Sequence, residues 1–250
     1  MKFSANLGFL WADLSLPDAI RAAKAAGFDA VECHWPYNES SDVVRQALDD
    51  TGLPMLGINT VRGGPADFGL CALPERVAEA RDAIDQAIEY AIAVKAGAIH
   101  LMAGNASGAL AHDTFLENLT YARQSCPSSV MLLIEPLNRF DAPGYFLRDT
   151  AQAADILAEL NEPGIRLMFD CYHVGRTEGD ILGRFQALCP LIGHVQFASV
   201  PDRGPPDQGT VEYSELLAKL AAEGWDRPFG AEYRPPAATE DSLHWLADFR

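Results

Sequence analysis

The stretch LLIEPLN, residues 132–138, carries a glutamate straight out of an aliphatic run and then stops at a proline. A carboxylate in that position loses its hydration unless something nearby compensates it. The pattern recurs downstream. Asp170 ends an apolar run in LMFDCYH, with His173 just beyond it. His194 and Gln196 alternate in GHVQFAS, and Glu232 closes the run in FGAEYRP. Three carboxylates and an amide therefore come from four successive apolar runs. Brought together, such carboxylates repel one another and raise each other's pKa. A divalent cation resolves the conflict, and oxygen donors without thiolate or compulsory imidazole point to Mg2+ or Mn2+ rather than zinc. Glu135, Asp170 and Glu232 are the expected carboxylate ligands, with Gln196 or His194 beside them.

A simpler role competes at each position. An acid at a strand end is often only a helix cap or an ion-pair partner, but four aligned positions on neighbouring strands make that coincidence a poor account of all of them. His194 is read as structural, but it lies two residues from Gln196 and both side chains should face the same side of a strand, so alternation alone does not choose between them. Cys171, beside Asp170, should face the opposite side and pack. His34 and His100 are read as structural histidines. Trp11, Trp35 and Tyr37 could wall a pocket or cover the barrel mouth.

The elements that must position these residues alternate along the whole chain. Eight β-rich apolar runs cover residues 2–9, 30–35, 54–60, 98–104, 131–138, 165–173, 192–199 and 228–235. Helical patterns lie between them. Residues 16–27 have proline and an acid in the first turn and glycine after the last. Residues 40–52 open on a serine cap and close on glycine. The longest pattern, 73–97, repeats alanine and isoleucine at three- and four-residue spacing. Further helices are expected at 148–161, 213–224 and 239–250, with shorter pieces near 112–126 and 180–189. Eight strand–helix units in a chain of this length predict a single-domain TIM (β/α)8 barrel over residues 1–250. A doubly wound open sheet is the rival, but GFLWADLS after the first run lacks the G-x-G-x-x-G turn expected there.

The composition narrows the function classes. Hydrophobic residues make up 48% and charged residues 22%, which suits a sizeable core. A net charge of −16 argues against nucleic acid, because phosphate binding needs a basic face. The five cysteines are scattered and form no C-x-x-C pair, which suggests thiols in a reducing compartment. No stretch has the apolar length of a membrane span. A soluble cytoplasmic protein is expected, with association into a homo-oligomer left open.

At these residues the chain resembles the hydroxypyruvate isomerase family, within the xylose-isomerase-like barrels that also include ketose 3-epimerases. The resemblance runs nearly end to end, through FSANLGFLW, GFDAVECHWPYN, HLMAGN, IEPLN, FDCYH, HVQFASVPDRGPPDQGTVEY and AEYRP. It implies that Glu135 and Glu232 are the catalytic pair and also contact the metal, with Asp170 and Gln196 as the other ligands. It further implies that His173 and Arg203 bind substrate oxygens. The related epimerases usually have histidine where Gln196 stands, which favours the isomerase branch. The loop NTVRGGPADFGL, residues 59–70, departs from the family's usual sequence. The implied reaction interconverts hydroxypyruvate and tartronate semialdehyde through an enediolate. The alternatives are a 2-oxo-tetronate isomerase, a ketose 3-epimerase or a non-catalytic barrel that binds a small acid. The chemistry agrees: moving a proton between adjacent carbons of a hydroxy carbonyl needs a base, an acid and an electrophile. Three carboxylates and one dication leave the site negative, so an anionic substrate needs a cation. Arg203 can bind a carboxylate in bidentate fashion; Arg62 is the second candidate, with a surface role as its simpler reading.

Overall fold

Each of the eight apolar runs contributes a strand: β1 (Phe3–Asn6), β2 (Ala30–Glu32), β3 (Ile58–Asn59), β4 (Ala98–His100), β5 (Met131–Ile134), β6 (Ile165–Asp170), β7 (Ile192–Phe197) and β8 (Phe229–Ala231). The computed structural model describes residues 1–64 and 67–250, so the centre of the unusual loop 59–70 lies outside the described residues. Every pairing is parallel, in the order β2-β1-β8-β7-β6-β5-β4-β3. The two ends meet through a bridge between Val31 and Met55, where Leu56 N donates to Val31 O at 2.7 Å. The sheet is thus a closed eight-stranded barrel, as the strand–helix alternation predicts.

The helices are α1 (Leu16–Ala26), α2 (Ser41–Thr51), α3 (Val77–Val94), α4 (Ala109–Ser125), α5 (Thr150–Leu160), α6 (Cys171–Thr177), α7 (Ile181–Leu188), α8 (Tyr213–Ala222) and α9 (His244–Asp248). Ser15 caps α1, and Gly27 ends it in the left-handed conformation. Ser40 stands at the N-cap of α2, but its side chain makes no capping hydrogen bond. The long pattern at 73–97 loses its first turn to a 3-10 segment, Pro74–Arg76, and Lys95 takes the left-handed position beyond its end. Residues 165–173, read as one run, divide into β6 and α6, because Asp170 caps a new helix. Among the described residues, no helix is long and apolar enough to cross a membrane.

Strand alternation sorts the side chains into two layers. Phe3, Val195, Phe197, Phe229 and Ala231 face the helices and join the main apolar core, together with buried residues of α1 to α5. Ala98, Leu133 and Met168 form a separate small cluster. On the same faces of their strands, two residues on from each, are His100, Glu135 and Asp170, so the interior changes from apolar to polar toward the strands' C-terminal ends. All five cysteines are free; Cys189 is half-buried and the other four are buried.

Helix α9 anchors the outer layer. The fully buried Trp245 packs edge-on to Phe3 at 5.3 Å and to Phe197 at 5.5 Å, and touches Phe249 at 5.5 Å. Removing an indole from such a site costs about 3–5 kcal/mol. Trp245→Ala is therefore expected to lower stability by that amount in urea unfolding followed by circular dichroism, with the native secondary structure retained in water.

Candidate active site

The C-terminal ends of the strands open into a cavity of about 290 Å³, whose wall includes His34, Arg62, Glu135, His173, Arg203 and Glu232. A larger cleft of about 790 Å³ beside residues 105–109 and 143–148 contains none of the carboxylates. The smaller cavity is the candidate site, because the buried titratable groups converge there.

Glu135, Asp170, Gln196 and Glu232 are all buried. Parallel register sets Asp170 of β6 beside Gln196 of β7, and Gln196 beside Gly230 of β8, with Glu232 two residues further on. The two roles weighed for Asp170 divide between its two oxygens. Oδ1 accepts from Tyr172 N at 2.8 Å and caps α6, while the buried Oδ2 has no hydrogen-bond partner among the described residues. Glu135 Oε1 and Gln196 Oε1 are likewise buried and unpartnered. Buried acceptors in this state are costly. Three such oxygens on adjoining strands fit a hard dication, which takes oxygen ligands of this kind.

Glu232 differs from the others because its oxygens are occupied. Oε1 accepts from Asn6 Nδ2 at 3.1 Å and faces His34 Nε2 at 2.8 Å; Oε2 meets Arg203 Nη2 at 2.5 Å. Arg203 Nη2 also lies 3.8 Å from Asp170 Oδ2, and its buried Nε has no hydrogen-bond partner among the described residues. Arg203 adopts a left-handed backbone, φ 56°, held by Arg203 N donating to Ser199 O at 2.9 Å and by Arg234 N donating to Arg203 O at 2.8 Å. A non-glycine residue in that region is strained and is commonly held so at a functional site.

The environments drive the carboxyl groups apart. Burial raises Glu135 well above the usual carboxylate range, and repulsion from Glu232 and Asp170 adds to it. Burial and Glu232 push Asp170 up to about 7, against the attraction of Arg203. For Glu232, burial opposes ionisation, but Arg203 and His34 outweigh it and hold the carboxyl below its ordinary value. Glu135 and Asp170 thus resist ionisation beside Glu232, which is held ionised, and a cation among them would relieve their mutual repulsion.

Glu135, Asp170 and His173 present one potential ligand atom each within 4.8 Å of one another. The tautomer of His173 argues against its belonging to that set. Its Nδ1 accepts from the backbone N–H of Asn138 at 2.9 Å, so the ring proton is on Nε2. Burial and Arg203 lower its pKa to about 3, which keeps the ring neutral. Nε2–H is therefore a donor, 3.6 Å from Asp170 Oδ2 and 3.9 Å from Glu135 Oε1. It suits a substrate oxygen better than a metal.

Several residues stand differently from the sequence reading. His34, read as structural, is the partner of Glu232, and its ring lies against Gly8, where a Cβ would come within 2.1 Å of Nδ1. His100 also lines the cavity, with Nδ1 3.5 Å from Glu135 Oε2. Arg62, given a surface role as its simpler reading, is in the cavity wall, with its guanidinium 4.2 Å from the Phe68 ring. Trp35 shares that wall, whereas Trp11 is buried elsewhere and donates to Glu240 at 2.6 Å. Glu32 escaped notice altogether. It is a buried carboxylate at the end of β2, bonded to both His194 and Gln196. Its signal was a lone acid inside the apolar run AVEC, in the same strand phase as His34.

Residues 20–249 match the family model described as a xylose isomerase-like TIM barrel. The 2-oxo-tetronate isomerase of Cupriavidus necator is 38% identical, over 99% of this chain and 98% of its own. The hydroxypyruvate isomerase of Escherichia coli is 31% identical over the whole of both chains. A crystal structure described as AP endonuclease, family 2, from Brucella melitensis superposes with a TM-score of 0.95 at 33% identity, covering 100% of this chain and 99% of that one. The chain belongs to the xylose isomerase-like TIM barrel family. Its full-length relatives include hydroxypyruvate and 2-oxo-tetronate isomerases, and within that family it is an isomerase-type enzyme.

The unpartnered oxygens make a direct test available. Ligand binding to the folded state adds about 2.7 kcal/mol of stability at a hundredfold excess over Kd. Millimolar Mn2+ is expected to raise the Tm of the native protein. Asp170→Asn keeps the α6 cap but removes a charge, so it should fold at least as well without metal and lose most of the Mn2+-induced shift. Scanning calorimetry of both proteins, with and without Mn2+, checks this.

Proposed function

We propose that the protein isomerises a short hydroxy-oxo acid, with hydroxypyruvate and tartronate semialdehyde as the substrate pair. The observation that carries this reading is that Glu135, Glu232 and Arg203 line one small cavity, with buried Asp170 3.8 Å from Arg203 and Gln196 beside it in register, each keeping an oxygen without a hydrogen-bond partner among the described residues. A dication bound by Glu135, Asp170, Gln196 and Glu232, with Mg2+ or Mn2+ best suited to the oxygen-rich set, would supply charge stabilisation for a developing enediolate. One glutamate takes a proton from C3 of hydroxypyruvate, and electron density shifts onto the C2 carbonyl oxygen. The other delivers a proton to C2, and the C3 hydroxyl becomes the aldehyde as its proton passes to O2. His173 Nε2–H and Arg203 Nε are donors for the substrate oxygens.

The substrate's carboxylate needs its own partner, since Arg203 is drawn to Glu232 and Asp170. Arg62 is the better placed. It donates through Nε to the Asp67 carbonyl, and among the described residues its terminal nitrogens carry no carboxylate. A cavity of about 290 Å³ lies at the low end of ligand-site volumes and suits a short acid. The four-carbon 2-oxo-tetronates are the second reading, favoured by the Cupriavidus relative. Phosphodiester cleavage, suggested by the endonuclease name of the Brucella protein, agrees poorly with a net charge of −16.

Proton NMR in deuterium oxide, with hydroxypyruvate, 2-oxo-tetronates and free ketoses offered separately, tests the reading. Metal-dependent conversion of a short acid with deuterium uptake beside the carbonyl supports it, and turnover of ketoses alone overturns it. Glu135→Gln keeps an oxygen ligand and removes the base, so metal should still bind, more weakly, while turnover falls by about 10²–10⁴-fold. Near-full activity in that variant would make Glu135 a ligand only. Arg62→Ala should raise KM for the best acid by about tenfold to a hundredfold, the value of a charge-assisted hydrogen bond; unchanged KM would move the carboxylate to Arg203.

A further inference from the structure

Glu32 is a buried carboxylate to which the proposed chemistry assigns no task. Its partners are polar on every side. Oε2 accepts from Ser4 Oγ at 3.0 Å and meets His194 Nε2 at 2.6 Å. Oε1 accepts from Asn6 Nδ2 at 3.1 Å and Gln196 Nε2 at 2.7 Å. A Cβ on Gly230 would come within 2.7 Å of Oε2, so the glycine of β8 leaves the space that this carboxylate occupies. Packing alone does not call for such an arrangement, since a buried charge confers little net stability over an apolar residue of similar size.

The asymmetry of the glutamine amide gives Glu32 a purpose. One end of that amide only donates and the other only accepts. An ionised carboxylate only accepts, so it can hold Gln196 in one of its two orientations alone. With Nε2 turned to Glu32, Gln196 Oε1 must point away, and it is the oxygen left buried without a partner. Asn6 extends the same control, because its Nδ2 lies 3.1 Å from both Glu32 Oε1 and Glu232 Oε1. We propose that Glu32 is a positioning residue that locks the Gln196 amide with its oxygen toward the cation site. The inference rests on the reading of Gln196 as a ligand.

A double-mutant cycle on Mn2+ affinity, measured by calorimetry beside the metal-free Tm, tests it. Glu32→Gln offers residue 196 either an oxygen or an N–H and so releases the lock; Mn2+ affinity should fall by about 10–100-fold, as when partners of metal ligands are lost. Gln196→Ala should also weaken binding. In the Gln196→Ala background, Glu32→Gln should cost little more, because its effect runs through the amide. The same loss in both backgrounds would mean that Glu32 acts only as a distant charge, and no loss in either would leave it purely structural; each overturns the proposal. Unchanged affinity in Gln196→Ala alone would instead remove Gln196 from the ligand set. Should Glu32→Gln fail to fold, the exchange Glu32→Gln with Gln196→Glu keeps the buried charge and the donor–acceptor pair. It should bind Mn2+ within about tenfold of the native protein, and a folded exchange variant that binds none contradicts the proposal.

Discussion

Four carboxylates, Glu32, Glu135, Asp170 and Glu232, are held out of water at one end of a single barrel, and the Arg203 guanidinium lies against two of them, Asp170 and Glu232. Burying one charge is costly, and burying several of one sign multiplies the cost through mutual repulsion. The rest of the site is arranged around that constraint. Arg203 and His34 favour the ionised form of Glu232, while burial and repulsion raise Glu135 and Asp170. Glu32 is resolved differently: burial opposes its ionisation, but His194 and Gln196 more than offset it. Glu32 and Glu232 are thus satisfied by protein donors, whereas Glu135 and Asp170 each retain an oxygen that accepts no hydrogen bond among the described residues.

The barrel makes this arrangement possible through a property of strands. Side chains two residues apart face the same way, so Leu133 and Glu135, or Met168 and Asp170, place an apolar residue and an acid in successive layers of one interior. The apolar layer keeps water from beneath the acids, and the parallel register sets Asp170 beside Gln196 and Gln196 beside Gly230, two residues before Glu232. The helices do less chemistry but fix orientation. Asp170 is steadied because one oxygen caps α6, and the Asn138 backbone amide sets the tautomer of His173.

Much of this was legible in the sequence because it follows from alternation. All eight strands and the acids at the ends of the runs carrying Glu135, Asp170 and Glu232 could be read from apolar runs broken by a charge. So could the shared orientation of His194 and Gln196, whose side chains reach one carboxylate. What escaped depends on contacts between distant segments. Glu32 and Glu232 are two hundred positions apart, and Asn6 joins them in space only when β1 lies between β2 and β8. The same holds for His34 with Glu232, and for Arg62, whose loop had no periodicity to say which way it faced. Strand lengths were overestimated for a related reason: the residues just past β5 and β6 continue the runs in sequence but leave the sheet to form the cavity wall and helix α6.

The proposed role of the unpartnered oxygens of this cup is to hold a divalent cation. The most direct measurement is anomalous diffraction from crystals soaked in Mn2+. The account predicts one strong peak at the mouth of the barrel, about 2.0–2.3 Å from oxygens of Glu135, Asp170 and Gln196, with Glu232 turned from Arg203 to join them. A peak coordinated by His173 Nε2 without Gln196, or no peak in the cavity at saturating Mn2+, would contradict it.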